Sequence, residues 1–247
     1  MDPAHTIRDA IDQVFALRAK AAAEPELGQA VSAIKRLQAL RFRGSYADLL
    51  ESADFGEASR FFLDELYGER DYAERDTQFA RIAGGLAAVL PGPVMGTAVA
   101  LAQLHALTEQ LDHAMAAQWL HLRHTAAAPE TEAYVQAWKA VGRRTDRQRQ
   151  LEGVMQIGTQ LAKVTSKPGL AIVLKLMRRP AATAGLASLQ HFLETGFGIF
   201  RTLARDKHLA QAFLQTIEQR ELAWLQAMFD APASAQVQAL GKLLSAG

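Results

Sequence analysis

The sequence predicts an all-α protein, a compact multi-helix bundle of about ten helices. Three observations carry that prediction. Alanine, leucine, glutamine and arginine, all good helix formers, are abundant along the chain. No alternating run of β-branched or aromatic residues, the mark of a half-buried strand, exceeds a few positions. Proline, glycine and small polar residues cut the chain into helix-sized pieces joined by short connections of about 2–8 residues, the usual range in helical bundles.

The elements follow from that punctuation. Asp2-Pro3 is a cap followed by proline at the first helical position and opens a helix to about Ala22. Pro25 opens a second helix, with Leu27, Val31, Ile34, Leu37 and Leu40 on its apolar side, and Gly44 closes it. Ser45 caps a short helix to Leu50, and another spans Ala58 to Leu66, stopped at Gly68. Asp71 caps a helix to Leu90, and Pro91-Gly92-Pro93 is a turn. A long helix covers Val94 to His124, followed by Glu130 to Val141 and Asp146 to Val164. After the Ser166-Lys167-Pro168-Gly169 turn come a short apolar helix, Leu170 to Met177, and a longer one from Pro180 to Ala204. Asp206 caps a helix to Phe229, and Pro232 begins an alanine- and glutamine-rich end. No linker separates domains, so the expectation is one helical domain over 1–230 with a weakly ordered or helical tail over 231–247.

Composition narrows the function classes. The 247 residues are 49% apolar and 21% charged, with a formal net charge of +1. A general nucleic-acid binder needs a basic excess, so nucleic acid is not an expected partner. Cysteine is absent, which excludes disulfides, thiolate metal sites and a cysteine nucleophile. The start lacks the basic-then-apolar pattern of a secretory signal, and the expected location is cytoplasmic. Residues Ile82 to Thr108 carry no Asp, Glu, Lys or Arg, a length that could cross a bilayer. Pro91-Gly92-Pro93 breaks the run into halves too short to span, so two buried helices joined by a turn are expected and a membrane role is not.

Charge is uneven. Glu51 to Asp76 holds nine acids against three arginines, and Arg143 to Arg179 holds nine bases against two acids. Either the two stretches face each other or the basic one meets an anionic partner.

On the long helix, His105, Glu109, Asp112 and His113 form a polar stripe beside the apolar face. With His105 at zero, Glu109 lies at about +40°, Asp112 at about −20° and His113 at about +80°. Residues at i, i+4 spacing can share a proton or a metal ion, so these four are the candidate ligand or metal set. The set matches neither the Glu-x-x-His of di-iron bundles nor the His-Glu-x-x-His of zinc hydrolases, and a solvated face of ion pairs is the competing account. No nucleophile elbow, phosphate loop or dinucleotide fingerprint occurs, so catalytic residues are not assigned and no cofactor or metal is expected.

A more specific segment is Phe61, Phe62, Asp64, Leu66, Tyr67, Gly68, Arg70 and Asp71. Phe62, Leu66 and Tyr67 would anchor a helix end, Gly68 would end it in the left-handed conformation and Asp71 would start the next. Arg70 or Arg75 would pair with Asp64 or Glu65, making this a structural corner. The segment resembles a family of uncharacterised, largely proteobacterial helical proteins with a Phe-Phe-x-x-x-Leu-Tyr-Gly-x-x-Asp corner. Stretches at 184–197 and 213–221 resemble the same family, so the likeness spans about Leu37 to Phe229. It implies a helical, bacterial, cytoplasmic protein and supplies no catalytic residue.

The glycines at 185, 196 and 198 weaken a helix that alanine would strengthen by about 1 kcal/mol each. Such glycines suit a close helix approach or a flat ligand. With His191, Phe192, Phe197 and Phe200, Gly185 and Gly196 make a candidate apolar pocket, although a lone histidine in such a helix is more often a hydrogen-bonded core residue. Arg201, Glu194, Arg220 and Glu221 are expected to form inter-helix ion pairs. The functional expectation is a non-enzymatic module that binds a protein partner or a second copy of itself. The alternatives are a small-molecule, haem or metal binder using the His105/Glu109/Asp112 stripe, and a peripheral membrane protein.

Overall fold

The computed structural model describes residues 2–66, 72–89, 92–126, 128–165 and 169–246. Among them are twelve helices: α1 (Pro3–Ala23), α2 (Pro25–Ser45), α3 (Ala47–Glu51), α4 (Gly56–Leu66), α5 (Ala73–Val89), α6 (Gly92–Ala126), α7 (Glu130–Val141), α8 (Arg144–Thr165), α9 (Leu170–Thr183), α10 (Ala187–Leu203), α11 (Lys207–Asp230) and α12 (Ala233–Ala246). The protein is all-α.

Two of the expected caps are present. Asp2 Oδ1 accepts from the Ala4 amide at 3.1 Å, and Asp206 Oδ1 accepts from the His208 amide at 2.8 Å. Each satisfies a first-turn N–H that the helix itself cannot. Other boundaries differ. Gly44 does not end α2, which runs through Ser45. Pro180 does not open a helix but lies inside α9. The expected helix Pro180–Ala204 is instead divided, because Gly185 adopts φ +67 and closes α9. The Gly185 amide donates to Ala182 O (3.0 Å) and the Leu186 amide to Ala181 O (2.7 Å). That pair of bonds is the Schellman arrangement, which needs a left-handed residue where glycine carries no Cβ penalty.

The chain forms two compact units. The first comprises Met1–Gln13, Arg70–Ala106 and Gly153–Gln215. Within it α10 packs against α9 and α5. Leu189, Phe200 and Leu203 of α10 are buried, at the i, i+3/i+4 multiples expected of one helix face. Arg81 of α5 donates to Ala184 O and Gly185 O, at 2.6 and 2.9 Å, and so covers the open end of α9.

The second unit comprises Val14–Glu69, Leu107–Glu152 and Thr216–Gly247. Its core joins Leu27, Ile34 and Leu37 of α2, Met115 of α6, Tyr134 and Trp138 of α7, Met228 of α11 and Leu240 of α12. Fully burying a side chain of this size stabilises by about 1.5–3 kcal/mol. The chain's end is thus a core-forming helix: α12 packs on α2 and α7. The approach to α2 is close. A Cβ added at Gly44 would meet backbone atoms of Leu243 inside 3.0 Å, so glycine serves helix contact there and not helix termination.

Candidate functional site

The polar stripe of α6 is divided by its surroundings. His105 belongs to the first unit, where its Nε2 lies 2.8 Å from Asp76 Oδ2 of α5. Glu109, Asp112 and His113 belong to the second unit and are buried. Glu109 Oε1 accepts from Lys35 Nζ at 2.6 Å, and Arg18 Nη2 lies 3.7 Å away. Asp112 Oδ1 accepts from Gln38 Nε2 at 2.9 Å. Desolvation by burial pushes the Asp112 carboxyl above the ordinary range, against the opposing pull of Lys35 and Arg147. His113 sits between backbone carbonyls, Nδ1 2.9 Å from Glu109 O and Nε2 3.0 Å from Leu17 O. These groups bind their own helices together. Among the described residues no group of three or more histidine or carboxylate side chains is arranged to hold a metal ion.

The same unit holds a second set of paired charges, with Arg41 and Arg147 buried and Asp48 exposed. Glu221 of α11 accepts from Arg41 and, at 2.7 Å, from the Tyr46 hydroxyl. Arg147 lies over the Trp138 ring with its guanidinium carbon 4.1 Å from the centroid. Arg220 makes a two-pronged pair with Asp48 at 2.7 Å, whose hydrogen bonds hold the Asp48 carboxyl below the usual range. Glu194, Arg220 and Glu221 each form an inter-helix ion pair. Glu194 accepts from Arg178 Nε at 2.7 Å to each oxygen, and Arg220 takes Asp48. The basic stretch also finds its acids close at hand, Arg143 and Arg149 on Asp146 and Arg144 on Asp230.

Of the corner, Phe61 and Phe62 are buried, with rings edge-on at 6.4 Å, and Asp64 is half-buried. Leu66 is the last residue of α4. Tyr67, Gly68, Arg70 and Asp71 lie outside the described residues. Arg75 lies within the first unit, its guanidinium carbon 4.2 Å from the Tyr72 centroid and 4.6 Å from that of Phe192, with Asp76 at 3.8 Å from Nε.

The turn at Gly185 sets that residue apart from the other five candidate pocket residues, which all lie on α10. Gly196 and Phe200 face the interior, Phe192 and Phe197 are half-buried, and His191 is exposed, not a core residue. A Cβ at Gly198 would meet nothing within 4 Å, so no helix presses on that position.

The feature missed by sequence reading is α9. Ile172 (63% exposed), Val173 (53%), Leu176 (71%) and Met177 (48%) lie on its solvent face, four of six exposed large apolar residues among those described. With Ile172 at zero, Leu176 falls at about 40°, Val173 at about 100° and Met177 at about 140°, a continuous arc. Arg179 and Lys175 border it at about −20° and −60°. The sequence of α9 contains no acid. The signal was present as i, i+1, i+4, i+5 spacing, but such a stripe normally marks a core face. Pro180 has no N–H to give the Leu176 carbonyl one turn earlier, so the regular i to i+4 bond is missing there.

The sequence model of a family described as "Domain of unknown function (DUF8198)" matches residues 17–235. That span is wider at both ends than the resemblance read from the corner and the two later stretches. No curated protein and no solved structure matches the chain.

Proposed function

The chain belongs to the DUF8198 family, a domain of unknown function, and we propose that it is a non-enzymatic docking module whose working surface is the exposed face of α9. The observation that carries this reading is the gathering of Ile172, Val173, Leu176 and Met177 on one solvent-facing arc. Isolated exposed apolar residues are ordinary, whereas a contiguous set rimmed by charge marks an interaction surface. The charged stripe of α6 supports the non-enzymatic part, because Glu109 and Asp112 are occupied by Lys35 and Gln38 in the interior of their unit. The partner is not a second copy meeting α9 with α9. Apposing two such faces would bring Lys175 and Arg179 against like charges with no acid on either helix to balance them.

The test is the native size of the chain in a gentle cell extract, compared with the double variant Ile172→Asp/Leu176→Asp. The expected result is migration above the monomer mass, or with a sedimentable fraction, for the parent chain, and release to the monomer mass for the variant. Monomer migration of both would contradict the reading.

A further inference from the structure

From the chemistry of the same helix we infer that the surface docked by α9 is an anionic lipid layer. The inference rests on reading α9 as the docking face and names what it docks. Three observations combine. The arc is made of aliphatic and thioether side chains only, Ile172, Val173, Leu176 and Met177, with no hydroxyl, amide or aromatic N–H to fix a directional partner. Those side chains stand out from the helix, up to 71% exposed at Leu176, as a ridge that an acyl boundary can accept without a matching groove. Lys175 and Arg179 border the arc, on stems long enough to lie along apolar surface while the charge reaches headgroup phosphates. Apolar arc, basic rim and absence of acid are together the pattern of a helix that lies in a membrane interface.

The rim has a division of labour. Arg178 is held by Glu194 of α10, which in turn accepts from Gln190 at 2.8 Å. That pair ties α9 to α10, and Lys175 and Arg179 are the bases assigned to lipid. Such an attachment spans nothing: among the described residues no helix is long and apolar enough to cross a membrane. One short helix and two bases give reversible binding that depends on lipid charge and on salt.

The experiment is vesicle flotation of the full chain with phosphatidylcholine vesicles and with equimolar phosphatidylcholine and phosphatidylglycerol vesicles, at low ionic strength and at about 0.15 M. The parent chain is expected to float with the anionic vesicles at low ionic strength, less so at the higher one, and not with phosphatidylcholine alone. Leu176→Asp is expected to lower the bound fraction about tenfold or more. Lys175→Glu/Arg179→Glu is expected to lower it by about fivefold or more per charge, on the anionic vesicles only. Circular dichroism melting of both variants should match the parent, since these side chains face solvent. Failure of the parent to float with anionic vesicles at low ionic strength overturns the lipid assignment, as does floating of both variants like the parent. If flotation fails while Ile172→Asp/Leu176→Asp still changes native size, the docked surface is a protein and only the lipid assignment falls. If both fail, α9 is not the docking face.

Discussion

Lys35 Nζ of α2 lies 2.6 Å from Glu109 Oε1 of α6, across 74 residues of sequence, and the carboxylate it meets is buried. The contact turns a stripe that resembles a ligand set into a fastening between helices. Desolvating Glu109 is tolerable because Lys35 and Arg18 return Coulomb energy and hydrogen bonding.

Lys35→Met leaves Glu109 with Arg18 at 3.7 Å and is expected to destabilise by about 3 kcal/mol, the low end for breaking a buried pair. Lys35→Met/Glu109→Leu removes both charges and is expected to recover most of that loss. Urea unfolding of the single and double variants checks the coupling, and equal losses in both would refute it.

Asp112 gives a pH dependence of defined sign. Burial raises its carboxyl pKa in the folded state above the unfolded value. Between the unfolded and the folded pKa the folded state therefore holds a proton that the unfolded state has released. The contribution of this group is fully present below the unfolded pKa and is lost as pH rises through the folded one. Asp112→Asn keeps an oxygen for Gln38 Nε2 and has no proton to lose. The melting temperature of Asp112→Asn relative to the parent is expected to rise as pH goes from the ordinary carboxylate range toward neutrality. A flat difference would show that the site does not titrate between folded and unfolded states.

Gly44 and Gly198 are expected to respond in opposite directions to alanine. At Gly44 the new Cβ meets Leu243 backbone, so α12 must move off α2, at a cost of about 1–3 kcal/mol. Limited proteolysis should then cut α12 faster. At Gly198, within α10 and open for 4 Å, alanine is expected to stabilise by about 1 kcal/mol. Thermal unfolding of both variants checks the pair.

Tyr46→Phe removes the hydroxyl that donates to Glu221 at 2.7 Å and leaves Arg41 on the same carboxylate. A loss of about 1.5–3 kcal/mol is expected, the range for a hydrogen bond to a charged group. Denaturant titration at fixed pH measures it, and no change would mean that Arg41 alone satisfies Glu221.

The helices were largely legible because their signals are local. Asp2 before Pro3, Pro25 at the first position of α2 and Asp206 before Lys207 each act within one turn. The misreadings came where a residue's role is set by a competing break or by a neighbour elsewhere in the chain. Gly44 looks like a stop, yet answers to Leu243. Pro180 looks like a start, yet sits inside α9, because Gly185 provides the real break. The stripe's composition was readable, but its partners Arg18, Lys35 and Gln38 lie on α1 and α2, and nothing in one sequence pairs them with α6. The face of α9 escaped for a related reason. An apolar arc has the same spacing whether it is covered or bare, and exposure is decided only by packing.

The central claim is a division between an interior whose charges fasten helices and a surface, α9, that docks. Its most direct test is the fraction of folded chain that floats with anionic vesicles, measured for Lys35→Met/Glu109→Leu beside Leu176→Asp. The account predicts parent-like flotation for the interior variant and a loss of about tenfold or more for the surface one. Loss of flotation in the folded interior variant with retention in Leu176→Asp would contradict it.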